Sequence, residues 1–125
     1  MKTLLADLIE NAVIAVATCD NKKILVTIGL IDDCYEISVD DSGIPFDSEV
    51  LRDLGTKQIT TYAGEGGSGI GMMTTFEILR EFDASITVSD GIADLYPLTK
   101  RVTIRFDGKR MYTCDISNFS ICHEI

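Results

Sequence analysis

Apolar periodicity runs through both ends of this chain and stops between Asp40 and Gly69. Compact domains rarely carry so long an irregular connection unless it closes over a site, so the segment reads as a functional lid. With 125 residues in all, the flanking elements suffice for one domain over 1–125. A chain of this size buries roughly two-thirds of its unfolded surface, enough for a true core.

The flanks are readable element by element. From Leu4 to Ala17 the residues Leu5, Leu8, Ile9, Ala12 and Val16 recur at spacings of three and four, which predicts an amphipathic helix. Asp7 and Asn11 stand one turn apart on its other side, with Glu10 beside them. Ile24–Ile31 and Tyr35–Val39 are rich in β-branched residues, and Asp32-Asp33 between them predicts a hairpin turn. Glu49–Leu54 fits a short helix. Ser68 caps a second long helix over Ile70–Phe82, striped by Met72, Phe76, Leu79 and Phe82. Ser85–Ser89, Arg101–Phe106 and Met111–Ile116 read as strands, with Asp107-Gly108 as a hairpin turn between the last two. That order predicts an α+β fold: a two-layer sandwich with a mixed, mostly antiparallel sheet and its helices on one face.

Composition excludes some functions. Twenty acidic residues against eleven basic leave a net charge of -9, which argues against a nucleic-acid partner. Cys19, Cys34, Cys114 and Cys122 lack zinc-site spacing, and the sole histidine, His123, reads as a tail residue. Scattered cysteines of this kind suit reduced thiols in a cytoplasmic protein. The longest apolar run, Ala12–Ala17, is too short to span a bilayer, so no direct membrane contact is expected of this segment.

Three motifs carry chemistry. On the first helix, the Asn11 amide oxygen is a neutral ligand suited to Mg²⁺. Asp7, one turn earlier, and Glu10 are candidate catalytic carboxylates, able to orient or deprotonate an attacking group. Alone, the same residues describe an ordinary solvated helix face. Asp41-Ser42-Gly43 ends an apolar strand: a fixed carboxylate there can accept from an exocyclic amine, and a glycine lets a flat base approach. Asp, Ser and Gly are equally the residues of a plain β-turn. Gly66-Gly67-Ser68-Gly69-Ile70-Gly71 leads into a helix, and exposed amides at a helix N-terminus favour phosphate. No Walker lysine follows, so this is no P-loop.

In this order the three resemble the N, G1 and G2 boxes of the GHKL superfamily, the gyrase, chaperone and histidine kinase ATPases. Leu8-Ile9-Glu10-Asn11-Ala12 is similar to the N box, Val39-Asp40-Asp41-Ser42-Gly43-Ile44-Pro45 to G1, and Gly67-Ser68-Gly69-Ile70-Gly71-Met72 to G2. The nearest likeness is to the catalytic ATP-binding domain of bacterial sensor histidine kinases. The resemblance implies a Bergerat-type ATP site. In it Asn11 ligates Mg²⁺, Asp41 binds adenine N6 and Gly43 lines the base pocket. Gly67, Ser68, Gly69, Ile70 and Gly71 hold the phosphates beneath a lid over about 46–66. Thr103 is the candidate strand threonine supporting Asp41 through water, and Lys57 the candidate lid contact to the terminal phosphate.

The chain departs from that pattern in places. Histidine kinases usually carry Asn where Asp7 stands, whereas the gyrase and anti-sigma kinase branches carry Glu as a base. Ile14 and Ala15 replace the usual lysine and aromatic residue after the N box, Pro45 stands near the place of a second G1 glycine, and no F box is evident. No phosphoacceptor histidine precedes the N box, so the expectation is a fragment. It would be the ATP-binding half of a kinase with a histidine-bearing dimerisation domain and a response regulator as partners, cytoplasmic, its parent anchored in the bacterial inner membrane. Two alternatives differ in class. A stand-alone anti-sigma-type serine kinase shares the boxes and the acidic residue. A Rossmann-like dinucleotide protein fits Gly64-Glu65-Gly66-Gly67-Ser68-Gly69 and Asp90 but wants alternating parallel βαβ units.

Overall fold

A computed structural model of the chain describes residues 2–43, 77–90, 98–116 and 119–124. Helix α1 (Lys2–Val16) is followed by β1 (Ile24–Ile31) and β2 (Cys34–Asp41). Residues 77–81 are helical, and β3 (Ser85–Asp90), β4 (Lys100–Arg105), β5 (Met111–Ile116) and β6 (Phe119–Glu124) complete the order. The short helix expected at 49–54 and the start of the helix expected over 70–82 lie outside the described residues.

All six strands form one sheet in the order β1-β2-β4-β3-β5-β6. Every neighbouring pair is antiparallel except β3 with β5. This is the mixed, mostly antiparallel sheet expected, not the alternating parallel arrangement of a Rossmann unit. Alternation along the strands sorts the two faces. Ile37, Val39, Ile86, Val88, Ile104, Tyr112 and Cys114 share one face and form the core with Leu4, Leu8 and Ala12 of α1 and Leu79 of the helical turn. The helices therefore cover one face. On the other, Ser38 and Thr103 share a hydroxyl hydrogen bond of 3.0 Å, and Thr87 and Thr113 follow in register.

Local chemistry explains the turns. Asp32 and Asp33 both take positive φ, the twist that a two-residue hairpin requires and that Asp tolerates. Asp83, also at positive φ, ends the second helix: the Ala84 amide donates to the Leu79 carbonyl at 2.8 Å, closing the last turn.

Two expectations are corrected. Asp107-Gly108 does not join a hairpin, because β4 and β5 are not neighbours: β3 lies between them. The link instead crosses the start of β3 and is pinned there. The Ser85 hydroxyl donates to Asp107 Oδ1 at 2.8 Å and accepts from the Met111 amide at 2.9 Å, while Gly108 and Arg110 take positive φ. Nor is His123 a tail residue, since its backbone pairs with Tyr112 in β6. All four cysteines are free.

Asp40 is 1% exposed on the face away from the helices. Arg101, its cross-strand partner, donates to both carboxylate oxygens, at 2.7 and 2.9 Å. Fork-on-fork pairing of this kind is the strong form of an ion pair, and losing one member strands a buried charge. Arg101→Leu is expected to lower stability by about 2–3 kcal/mol, modest for a buried pair because the guanidinium keeps contact with water. Urea unfolding checks this, and an unchanged midpoint contradicts it.

Candidate functional site

The end of β2 builds the site. Asp41 lies on the helix-facing side, in line with Val39 and Ile37, and its register partner Lys100 is in turn the partner of Asp90. Apolar rows thus give way, at one end of the sheet, to a charged row of Asp41, Lys100 and Asp90. Asp41 is buried, and its Oδ1 accepts from the Gly43 amide at 2.8 Å and stands 3.4 Å from Lys100 Nζ. Burial pushes the carboxyl above its ordinary value, against the opposing pull of the Gly43 amide and of Lys100.

The residues around Asp41 hold its backbone. The Ser42 hydroxyl donates to the Asn21 carbonyl at 2.6 Å and accepts from the Lys23 amide at 2.8 Å, tying the turn to the α1–β1 connection. Thr99 fastens the other side: its amide donates to the Asp41 carbonyl at 2.8 Å, and its hydroxyl lies 3.0 Å from the Gly43 carbonyl. Sequence reasoning missed Thr99 and Lys100. The signal available was parity, because counting back in twos from the core residues Ile104 and Val102 puts Lys100 on Asp41's face.

Gly43 has a second task beyond the base approach expected of it. A Cβ placed there meets the carbonyl carbon and oxygen of Ala15 at 2.6 Å and its Cβ at 2.7 Å. The strand-end turn therefore packs directly on the backbone of α1. Asn11 is one turn back along the helix from that contact, about 6 Å along the axis.

On α1 the buried stripe is Leu4, Leu8, Ala12, Ala15 and Val16, rotated from the one read in the sequence. Asp7 and Asn11 consequently stand at the margin of the buried face, both half-buried, and not on the solvated side. Glu10 is exposed. Asp7 Oδ2 is buried without a hydrogen-bond partner among the described residues. Burial raises the Asp7 pKa, and the negative charge of Glu10 adds to the rise.

The structure thus brings Asp41 and Gly43 together and ties them to the helix bearing Asp7 and Asn11. It does not bring Thr103 to Asp41. Thr103 is out of phase with Lys100 and Val102, and its hydroxyl meets Ser38 on the opposite face. Lys57, Gly67, Ser68, Gly69, Ile70, Gly71 and the lid at about 46–66 lie outside the described residues.

Among comparisons with known proteins, the family described as histidine kinase-, DNA gyrase B-, and HSP90-like ATPase matches residues 1–110. No curated protein matches the chain.

Two expectations follow from this geometry. In Gly43→Ala the added methyl meets main chain, which cannot rotate away, so α1 must shift. A loss of about 2 kcal/mol or more is expected in urea unfolding, and Ala15→Gly should not restore it because two of the three contacts are main-chain atoms. For Asp7, a carboxyl with a higher pKa folded than unfolded makes the native state bind more protons between the two values. Stability then falls as pH rises through that interval and stays lower above it. Asp7→Asn should melt above the wild type at neutral pH and lose that advantage below the ordinary carboxylate range; an equal gain at both pH values contradicts the assignment.

Proposed function

The chain belongs to the histidine kinase-, DNA gyrase B- and HSP90-like ATPase family, and on that premise we propose that it is the ATP-binding catalytic domain of a two-component sensor histidine kinase. It supplies the γ-phosphate of ATP to a histidine on a dimerisation domain, with a response regulator downstream. The observation that carries the adenine half of this reading is Asp41. Both of its described contacts fall on Oδ1, which leaves Oδ2 to accept from the exocyclic N6 amine. The pinned backbone at Ser42 and Thr99 fixes that oxygen in place, so recognition needs little reorganisation.

Mg²⁺ fits the donors on α1. A hard cation shared with nucleotide phosphates takes one or two protein oxygens. Asn11 would hold it through its amide oxygen, with the unpartnered Asp7 Oδ2 one turn earlier on the same side. The ion would neutralise phosphate charge as the phosphoryl group leaves. The protein's own contribution is positioning.

Asp7 also supports a second reading, the anti-sigma-type serine kinase. A partly desolvated carboxylate with a raised pKa is a better general base than an exposed one, and the acceptor there is a serine hydroxyl. The G1 and lid wording favours the histidine kinase.

Calorimetric titration with ATP, ADP and NAD, with and without Mg²⁺, tests the common core. Adenine nucleotides should bind more tightly with Mg²⁺, and a folded Asp41→Asn variant should show no ATP binding. Retained affinity in that variant would falsify the Asp41 assignment. The chemistry of the product separates the two kinases, because phosphohistidine is acid-labile and phosphoserine is not. Alone, the chain is expected to show little autophosphorylation.

A further inference from the structure

Apolar pairs run along the helix-facing side of β2 and β4, Ile37 with Ile104 and Val39 with Val102, and the next pair in that phase is Asp41 with Lys100. Both side chains are buried, and Lys100 Nζ stands 3.4 Å from Asp41 Oδ1. Folding gives little reason for charge at this place. Taking two ions out of water is costly, and well-packed apolar residues of similar volume often serve stability as well or better. Asp40, the neighbouring acid, makes no demand on Lys100: it points to the other face and holds Arg101 on both its oxygens. The ammonium is thus aimed at Asp41, the carboxylate on which the proposed base contact depends.

We propose that Lys100 is the counterion that keeps Asp41 a hydrogen-bond acceptor, and that this pair makes the site select a base bearing an exocyclic amine over one bearing a carbonyl at the same position. This role rests on the proposed nucleotide site, whose specificity it sets.

The proton on a buried carboxyl decides what it recognises. Ionised, both oxygens accept, and Oδ2 can take a hydrogen from an amine; protonated, the group can donate, and a carbonyl becomes the better partner. The charged groups around Asp41 are Asp40 on its own strand, Lys100 on β4 and, one strand further, Asp90, the register partner of Lys100 on β3. The α1 residue against this turn is Ala15, which carries no charge. Burial and the charge of Asp40 push Asp41 toward the protonated form, whereas Lys100 and the Gly43 amide oppose this. Removing the ammonium therefore moves Asp41 toward the neutral acid without altering Asp41 itself. Lys100 acts on the base through Asp41 and is a positioning residue.

Calorimetric titration of the full chain with ATP and with inosine triphosphate, from mildly acidic to mildly alkaline pH, tests the proposal, with thermal melts to verify that each variant is folded. The two nucleotides share their phosphates and differ at the base edge, N6 amine against O6 carbonyl, so the ratio of their affinities isolates the contact to Asp41. The wild type should prefer ATP by about tenfold or more, with the same ratio at every pH. In Lys100→Met, which keeps the length of the stem, the ratio should fall several-fold at the acidic end and recover as pH rises. Lys100→Arg, which keeps the charge, should hold the wild-type profile. A wild-type preference that collapses at the acidic end overturns the proposal without any variant. So does a folded Lys100→Met whose ratio stays flat, or one that loses both nucleotides equally at every pH, the mark of a merely structural residue. Absence of ATP binding to the folded wild type removes the nucleotide site and this role with it; ATP binding that Asp41→Asn abolishes and Lys100→Met leaves independent of pH removes this role alone.

Discussion

The contact between Gly43 and the backbone of Ala15 is the constraint on which the rest of the site depends. It fixes the distance between a strand end and a helix to what two main chains allow without a side chain between them. Because Asn11 and Asp7 lie one and two turns back from Ala15, the same contact sets where these two residues stand relative to Asp41. A glycine chosen for a flat ligand and one chosen for close packing look identical in sequence. Here the packing demand alone disfavours any side chain.

Two neighbouring aspartates end β2, and one residue of phase divides their work. Asp40 points away from the helices and is closed off by both nitrogens of the Arg101 fork. Asp41 points toward them and shares its oxygen with one amide and one ammonium. The first is fully engaged within the sheet. The second is held by one oxygen, which is the arrangement a binding carboxylate needs: buried enough to discriminate, yet with acceptor capacity to spare.

Much of the fold was legible because its signals are local. The α1 periodicity, the Asp32-Asp33 turn, and β3, β4 and β5 all emerge from spacing and turn chemistry. What failed was non-local. Asp107-Gly108 carries the signal of a hairpin, but whether its flanking strands become neighbours depends on β3 taking the place between them, and no window of sequence contains that competition. Thr103 failed for the same reason: a threonine near the right strand is common, and only the register with Lys100 and Val102 reveals which face it occupies. Asp41 and Gly43 were found because strand end, acid and glycine coincide within three residues, whereas Thr99 and Lys100 reach the same site from far along the chain.

The position of Asp7 and Asn11 bears on function in a way the helical pattern concealed. A solvated pair costs nothing and signifies little. At the margin of the buried face, an unpartnered carboxylate oxygen loses hydration without regaining a hydrogen bond, which is unfavourable by roughly 1–3 kcal/mol or is relieved by taking up a proton. Folding alone gives no reason to retain it, since asparagine or alanine fits the same helix. On the proposed function, a cation arriving with phosphates, or a hydroxyl whose proton must be removed, would supply the missing partner. The unmatched oxygen is therefore the physical ground for proposing the chemistry on this turn of α1.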